Sequence, residues 1–160
     1  MNKFQETTNS INTVISEYER LMAEVRQSLQ DKMKDIFKSF FESHPDVKTI
    51  HWTQYAPHFN DGAECVFSVN DTHFSKTDYK DLESSYGEDD DGFIATRVWD
   101  PELRRYVDLD LDPVLVEDMR SLSSILQSDV NEDVLRAMFG TSVWIKAHRD
   151  GFDVDEHDHY

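Results

Sequence analysis

Between Thr7 and Ser43 the chain runs without a single glycine or proline. Its apolar positions step by three and four through Ile11, Ile15, Tyr18, Met22, Val25, Leu29, Met33, Ile36 and Phe40, the spacing that lines one side of an α-helix. One long amphipathic helix over about 7–43 is therefore predicted. Asn9 or Ser10 can cap its start, and His44-Pro45 ends it, because the residue before a proline avoids the helical region. Such a helix spans ~55 Å at ~1.5 Å per residue, whereas a compact chain of this length is roughly 40 Å across. It must bend or project. A projecting stripe of Ile11, Ile15, Tyr18 and Met22 needs a partner and fits a homodimer interface built by helix pairing; a stripe laid over one side of a sheet satisfies the sequence equally well. The four-residue step from Leu29 to Met33 interrupts the heptad, so a continuous coiled coil is not required.

The next stretch, Trp52 to Val69, reads as a β-hairpin. Two runs of alternating apolar and polar residues flank Asn60-Asp61-Gly62, and Asn/Asp-Gly supplies the positive φ angles of a tight turn. Cys65, Phe67 and Val69 then share one side of the second strand, with Trp52 and Phe67 as core. Pro57 lacks a ladder donor and marks an edge or a bulge. The string Trp-Thr-Gln-Tyr, a proline two residues on, Phe-Asn-Asp-Gly and Cys-Val-Phe-Ser-Val resembles one found in small bacteriophage proteins of unassigned function. That resemblance implies a phage setting and brings no active site with it.

Further along, 76–92 is polar, acidic and turn-rich and reads as a surface loop. Phe93–Trp99 and Arg104–Leu111 are predicted strands separated by Asp100-Pro101. Pro113 opens a helix of about fourteen residues, since proline suits the first helical turn. Asp129 or Asn131 caps a shorter helix that ends at Gly140. Residues 142–149 and 152–155 form a second hairpin around Asp150-Gly151. Helices in blocks rather than alternating with strands indicate an α+β fold: one domain over 1–160, with the long N-terminal helix packed on an antiparallel sheet of about 4–6 strands and two further helices before a C-terminal hairpin.

Charge narrows the choice of partner. The chain carries 16 Lys and Arg against 33 Asp and Glu, a net of -17, which opposes direct contact with nucleic acid or an anionic membrane. Seven basic and eight acidic residues precede Thr49, so nearly all of the excess belongs to the chain beyond the first helix. A lone Cys65 excludes an internal disulfide, and the absence of a long apolar run predicts a cytoplasmic protein.

Spacing sets apart three carboxylate groupings. Glu88, Asp89, Asp90 and Asp91 close the acidic loop. Asp108, Asp110 and Asp112 alternate with leucines and would line one side of a strand about 6.6 Å apart; they fail as a calcium loop, because the sixth position is Pro113 and the twelfth Met119. Asp153 and Asp155 alternate with His157 and His159 near the C-terminus, a pattern that suits weak Zn²⁺ or Ni²⁺ binding only if the tail is fixed. Phosphate loops, nucleophile elbows and dinucleotide fingerprints are missing. Two functions fit. One is a non-enzymatic acidic interaction protein that meets a basic host protein, such as a nucleic-acid-processing or defence enzyme, through these carboxylates, in the manner of a DNA-mimic inhibitor; it needs no cofactor. The other is a Mg²⁺-dependent enzyme acting on a phosphorylated or nucleotide substrate through Asp108, Asp110 and Asp112, with Arg97, Arg104 and Arg105 receiving the phosphate. A virion assembly role also suits the long helix.

Overall fold

The computed structural model describes residues 2–56 and 66–157. Helix α1 (Lys3–Ser43) is longer than predicted, because the cap is Asn2 rather than Asn9 or Ser10. The Gln5 N–H donates to the Asn2 side chain at 2.9 Å, and the Asn2 N–H donates back to Oε1 of the Gln5 side chain at 3.3 Å, a reciprocal capping box. At 41 residues the helix spans ~61 Å. It does not lie flat on the sheet: residues 3–28 are exposed all round, and only from Leu29 onward does a side turn inward. Met33, Phe37, Phe40 and Phe41 are the buried ones. The sequence break at Leu29–Met33 is thus the point where the apolar stripe changes from a free stem to a docked end. At the far end, His44 hydrogen-bonds Asp118 at 2.6 Å and ties α1 to α2 (Pro113–Leu126).

Behind the docked end lies a five-stranded antiparallel sheet. Strand β1 (Thr49–Tyr55) is paired on one side with β6 (Val143–His148), which in turn pairs with β7 (Gly151–Glu156) around the predicted Asp150-Gly151 turn. Its other edge is shared by two short strands. β2 (Ser68–Val69) meets Gln54 and Tyr55, and β3 (His73–Ser75) meets Thr49 to His51. The β1–β2 register is centred in sequence on Asp61-Gly62, as the hairpin reading requires; the turn itself, Pro57 and Cys65 lie outside the described residues, as does His159. Phe67 and Val69 are buried and Val66 is exposed, the alternation expected.

The core forms between the sheet and the helices. Phe37 stacks on Trp52 with ring centroids 5.6 Å apart, and Phe152 and Phe139 close around them edge-on or tilted. Leu122 and Leu126 of α2 and Leu135 of α3 (Asp129–Phe139) complete it. One polar side chain enters this apolar region. Gln54 accepts from the Trp52 indole N–H at 3.1 Å and donates to the Leu135 and Gly140 carbonyls at 3.0 and 2.7 Å. It thereby satisfies the Gly140 carbonyl just past the end of α3 and adds a second donor to the Leu135 carbonyl.

Strands β4 (Arg97–Asp100) and β5 (Arg105–Asp108) form a separate two-stranded hairpin, shorter than predicted at both strands. Residues 93–96 instead cross back to β3, where Phe93 bridges Ser75 and Ile94 bonds the Phe74 carbonyl. Trp99 and Tyr106 pair edge to face on this hairpin and remain about half or more exposed.

Candidate functional site

The side of the sheet turned away from the helices is covered as well. Segment 76–96 lies across it. The Thr49 hydroxyl donates to the Thr77 carbonyl at 2.8 Å, Tyr79 stacks on His148 at 3.9 Å, and Gly87 packs so closely on the His73 ring that a Cβ would overlap it. Beneath this cover the strand registers place His73, His51, Lys146 and Asp153 in one row across four strands, with Trp144 and Asp155 in the next. Thr49, His51 and Ser75 are fully buried.

The electrostatics of this layer follow from its closure. The Trp144 indole N–H donates to Nδ1 of His51 at 3.0 Å, which assigns the neutral ring's proton to Nε2, and Nε2 has no hydrogen-bond partner among the described residues. Burial first, then repulsion from His73, lowers the His51 pKa from 6.5 to about 4; Asp90 pulls the other way, and Lys146 adds a smaller push down. Burial likewise lowers His73, against the carboxylates of Asp71 and Glu88. Nearly buried, Lys146 is met by Asp153 and Asp155, which reach its Nζ at 3.3 and 2.7 Å, and it rests 4.3 Å over the Trp144 ring. This constellation is closed to substrate, since His51 has no exposed surface. Its members bind one another.

The carboxylates singled out by spacing therefore divide. Asp90 is a structural residue: its oxygens accept from the Ser75 and Thr77 hydroxyls and from the Gly92 N–H. Burial alone would raise its pKa, but these hydrogen bonds outweigh burial and leave it lowered. Asp153 and Asp155 are committed to Lys146. Asp108, Asp110 and Asp112 do not share a strand side, contrary to the sequence reading. The ladder stops at Asp108, which faces Arg97 at 3.6 Å with both side chains exposed. The Leu111 N–H then turns back to the Leu109 carbonyl, and Asp112 accepts from the Val114 N–H as the cap of α2. Among the described residues no group of three or more His, Cys, Asp or Glu is placed to hold a metal ion.

What remains open is the outer side of the covering segment. Asp81, Glu83, Asp89, Asp90 and Asp91 line a concavity of about 540 Å³ with no lysine or arginine in its wall. Glu88 stands exposed beside it. Two short 3-10 turns, Tyr79–Asp81 and Gly87–Asp89, hold the rim, the first capped by Asp78. A second exposed feature is the stem, where Phe4, Ile11, Val14, Ile15, Tyr18, Leu21, Met22 and Val25 are all exposed. Among the described residues, no helix is long and apolar enough to cross a membrane. No family model, characterised protein or solved structure matches the chain.

Proposed function

We propose that this chain is a non-enzymatic acidic interaction protein, phage-encoded and acting in the host cytoplasm, that engages the basic nucleic-acid-binding surface of a host protein as a DNA mimic does. One observation carries the reading: the carboxylates of Asp81, Glu83, Asp89 and Asp91 surround a single concavity that contains no cation to neutralise them. A nucleic-acid backbone carries one charge per ~3.4 Å of each strand. Carboxylates fixed on a braced rim offer a basic groove a comparable density of charge, and such complementarity acts chiefly on the rate of encounter. Asp90 braces this rim through Ser75 and Thr77, while Asp108 and Asp110 add exposed acidic charge elsewhere on the chain.

The test compares the wild type with a variant in which Asp81, Glu83, Glu88, Asp89 and Asp91 become Asn or Gln. Asp90, Asp153 and Asp155 stay unchanged so that the fold is retained. Each protein is immobilised and exposed to the heparin-binding fraction of a bacterial lysate. The reading expects retention of nucleic-acid-binding proteins by the wild type alone, released both by added duplex DNA and by salt above about 0.5 M, where screening falls to a few ångströms. Equal retention by the two proteins, or retention that DNA does not compete, overturns it.

A further inference from the structure

The stem presents an apolar ridge that the acidic head does not cover, and its pattern says what does. Phe4, Ile11, Tyr18 and Val25 recur every seven residues along the middle of the ridge. Thr7, Val14 and Leu21 run along one side of them, and Thr8, Ile15 and Met22 along the other. About three heptads without a break argue for a helical partner. Isolation would also suit this segment poorly, since the β-branched Thr7, Thr8, Ile11, Thr13, Val14 and Ile15 are weak helix formers and most helix stability in proteins comes from packing of an amphipathic side.

We propose that the partner is a second copy of this chain, paired antiparallel through residues 4–25 about a two-fold axis at Val14 and Ile15, with the two acidic heads at opposite ends. In this register Val14 meets Val14 and Ile15 meets Ile15 at the axis. Large side chains then face small ones outward from it: Tyr18 opposite Ile11 and Phe4 opposite Val25. The flanking charges agree with the pairing. Lys3 of each copy lies level with Glu24 of the other, Arg26 with Gln5, Glu17 with Ser10 and Glu19 with Asn12, so no like charges meet. A parallel arrangement would instead set Glu17 beside Glu19 and bring together two heads that carry nearly all of the chain's net charge of -17, a self-repulsion that opposes association. The length also fits. The Asn2 cap of one copy ends level with Arg26–Gln27 of the other, just short of Leu29, where α1 begins to dock on its own head.

This pairing is independent of the acidic-surface reading, and the experiment needs no partner protein. Light scattering on the full chain at tens of micromolar should give twice the 18.8 kDa chain mass. The Ile15→Asp variant, with two carboxylates at the axis, should be monomeric while its near-ultraviolet tryptophan spectrum is kept, because Trp52 lies in the head. Orientation is read from a nitroxide on Ser28→Cys in a Cys65→Ser background: antiparallel stems hold the labels ~40 Å apart at ~1.5 Å per residue. Glu24→Lys should weaken pairing about 3- to 10-fold, and adding Lys3→Glu should restore it, the scale expected of two exposed ion pairs. A monomeric wild type, a trimer or tetramer mass, label separations under about 20 Å, or a charge swap without rescue overturns the proposal.

Discussion

Acidification from pH 7 to pH 5 should destabilise the head chiefly through His51. A base whose pKa is lower folded than unfolded binds protons more tightly when unfolded, so stability falls as pH falls through the window between the two values. For His51 that window runs from 6.5 down to about 4. One pKa unit corresponds to about 1.4 kcal/mol, so the whole window is worth roughly 3 kcal/mol, and the part crossed between pH 7 and pH 5 about 2 kcal/mol. The cause is structural: the ring is fully buried, and His73, with a smaller part from Lys146, opposes a cation there, while its Nδ1 is engaged by Trp144. His73 shifts in the same direction. Asp90, lowered from 3.8, contributes stability that is lost only below this range. The assay is urea unfolding of the wild type and His51→Gln at both pH values, since glutamine does not titrate and keeps an acceptor for the Trp144 N–H. The wild type should lose about 2 kcal/mol more than the variant between pH 7 and 5. Parallel losses in the two proteins would show that the ring is not held neutral by burial, and would refute the closed polar layer.

Gly87→Ala places a methyl group against the His73 ring and should cost about 1–3 kcal/mol, as overpacking does; an unchanged urea midpoint would mean that 87–91 does not rest on β3. Gln54→Leu strands the Trp52 N–H in the core and removes the Gln54 donor from the Leu135 and Gly140 carbonyls. It should cost at least about 2 kcal/mol in the same melts, because unpaired buried polar groups lose their hydration without replacement.

Several elements were legible because their causes are local. The absence of Gly and Pro from 7–43 makes a helix whatever surrounds it, and the three-and-four spacing selects its apolar side. The β1–β2 register is centred where Asp61-Gly62 stands, Pro113 opens α2, and Asp150-Gly151 joins β6 to β7. The Leu29–Met33 step was visible too, though not that it separates stem from head. That depends on where the sheet lies.

The carboxylates were not sortable from sequence, because an aspartate's role is set by what faces it across the fold. Asp90 looks like Asp89 and Asp91 along the chain, yet Ser75 and Thr77 claim it. Asp153 and Asp155 read as free tail charges until β6 brings Lys146 beneath them. The Asp108–Asp112 alternation promised a strand, but a ladder lasts only as long as its partner, and β4 ends its pairing at Arg97. Thr49 and His51 alternate with Ile50 and Trp52 like a solvent side, yet they are buried because segment 76–96, more than twenty residues further on, folds over them. Helix, turn and cap follow from torsional preference and spacing within a few residues of chain. Whether a charge is spent or available is decided by contacts between distant segments, which only the folded arrangement brings together.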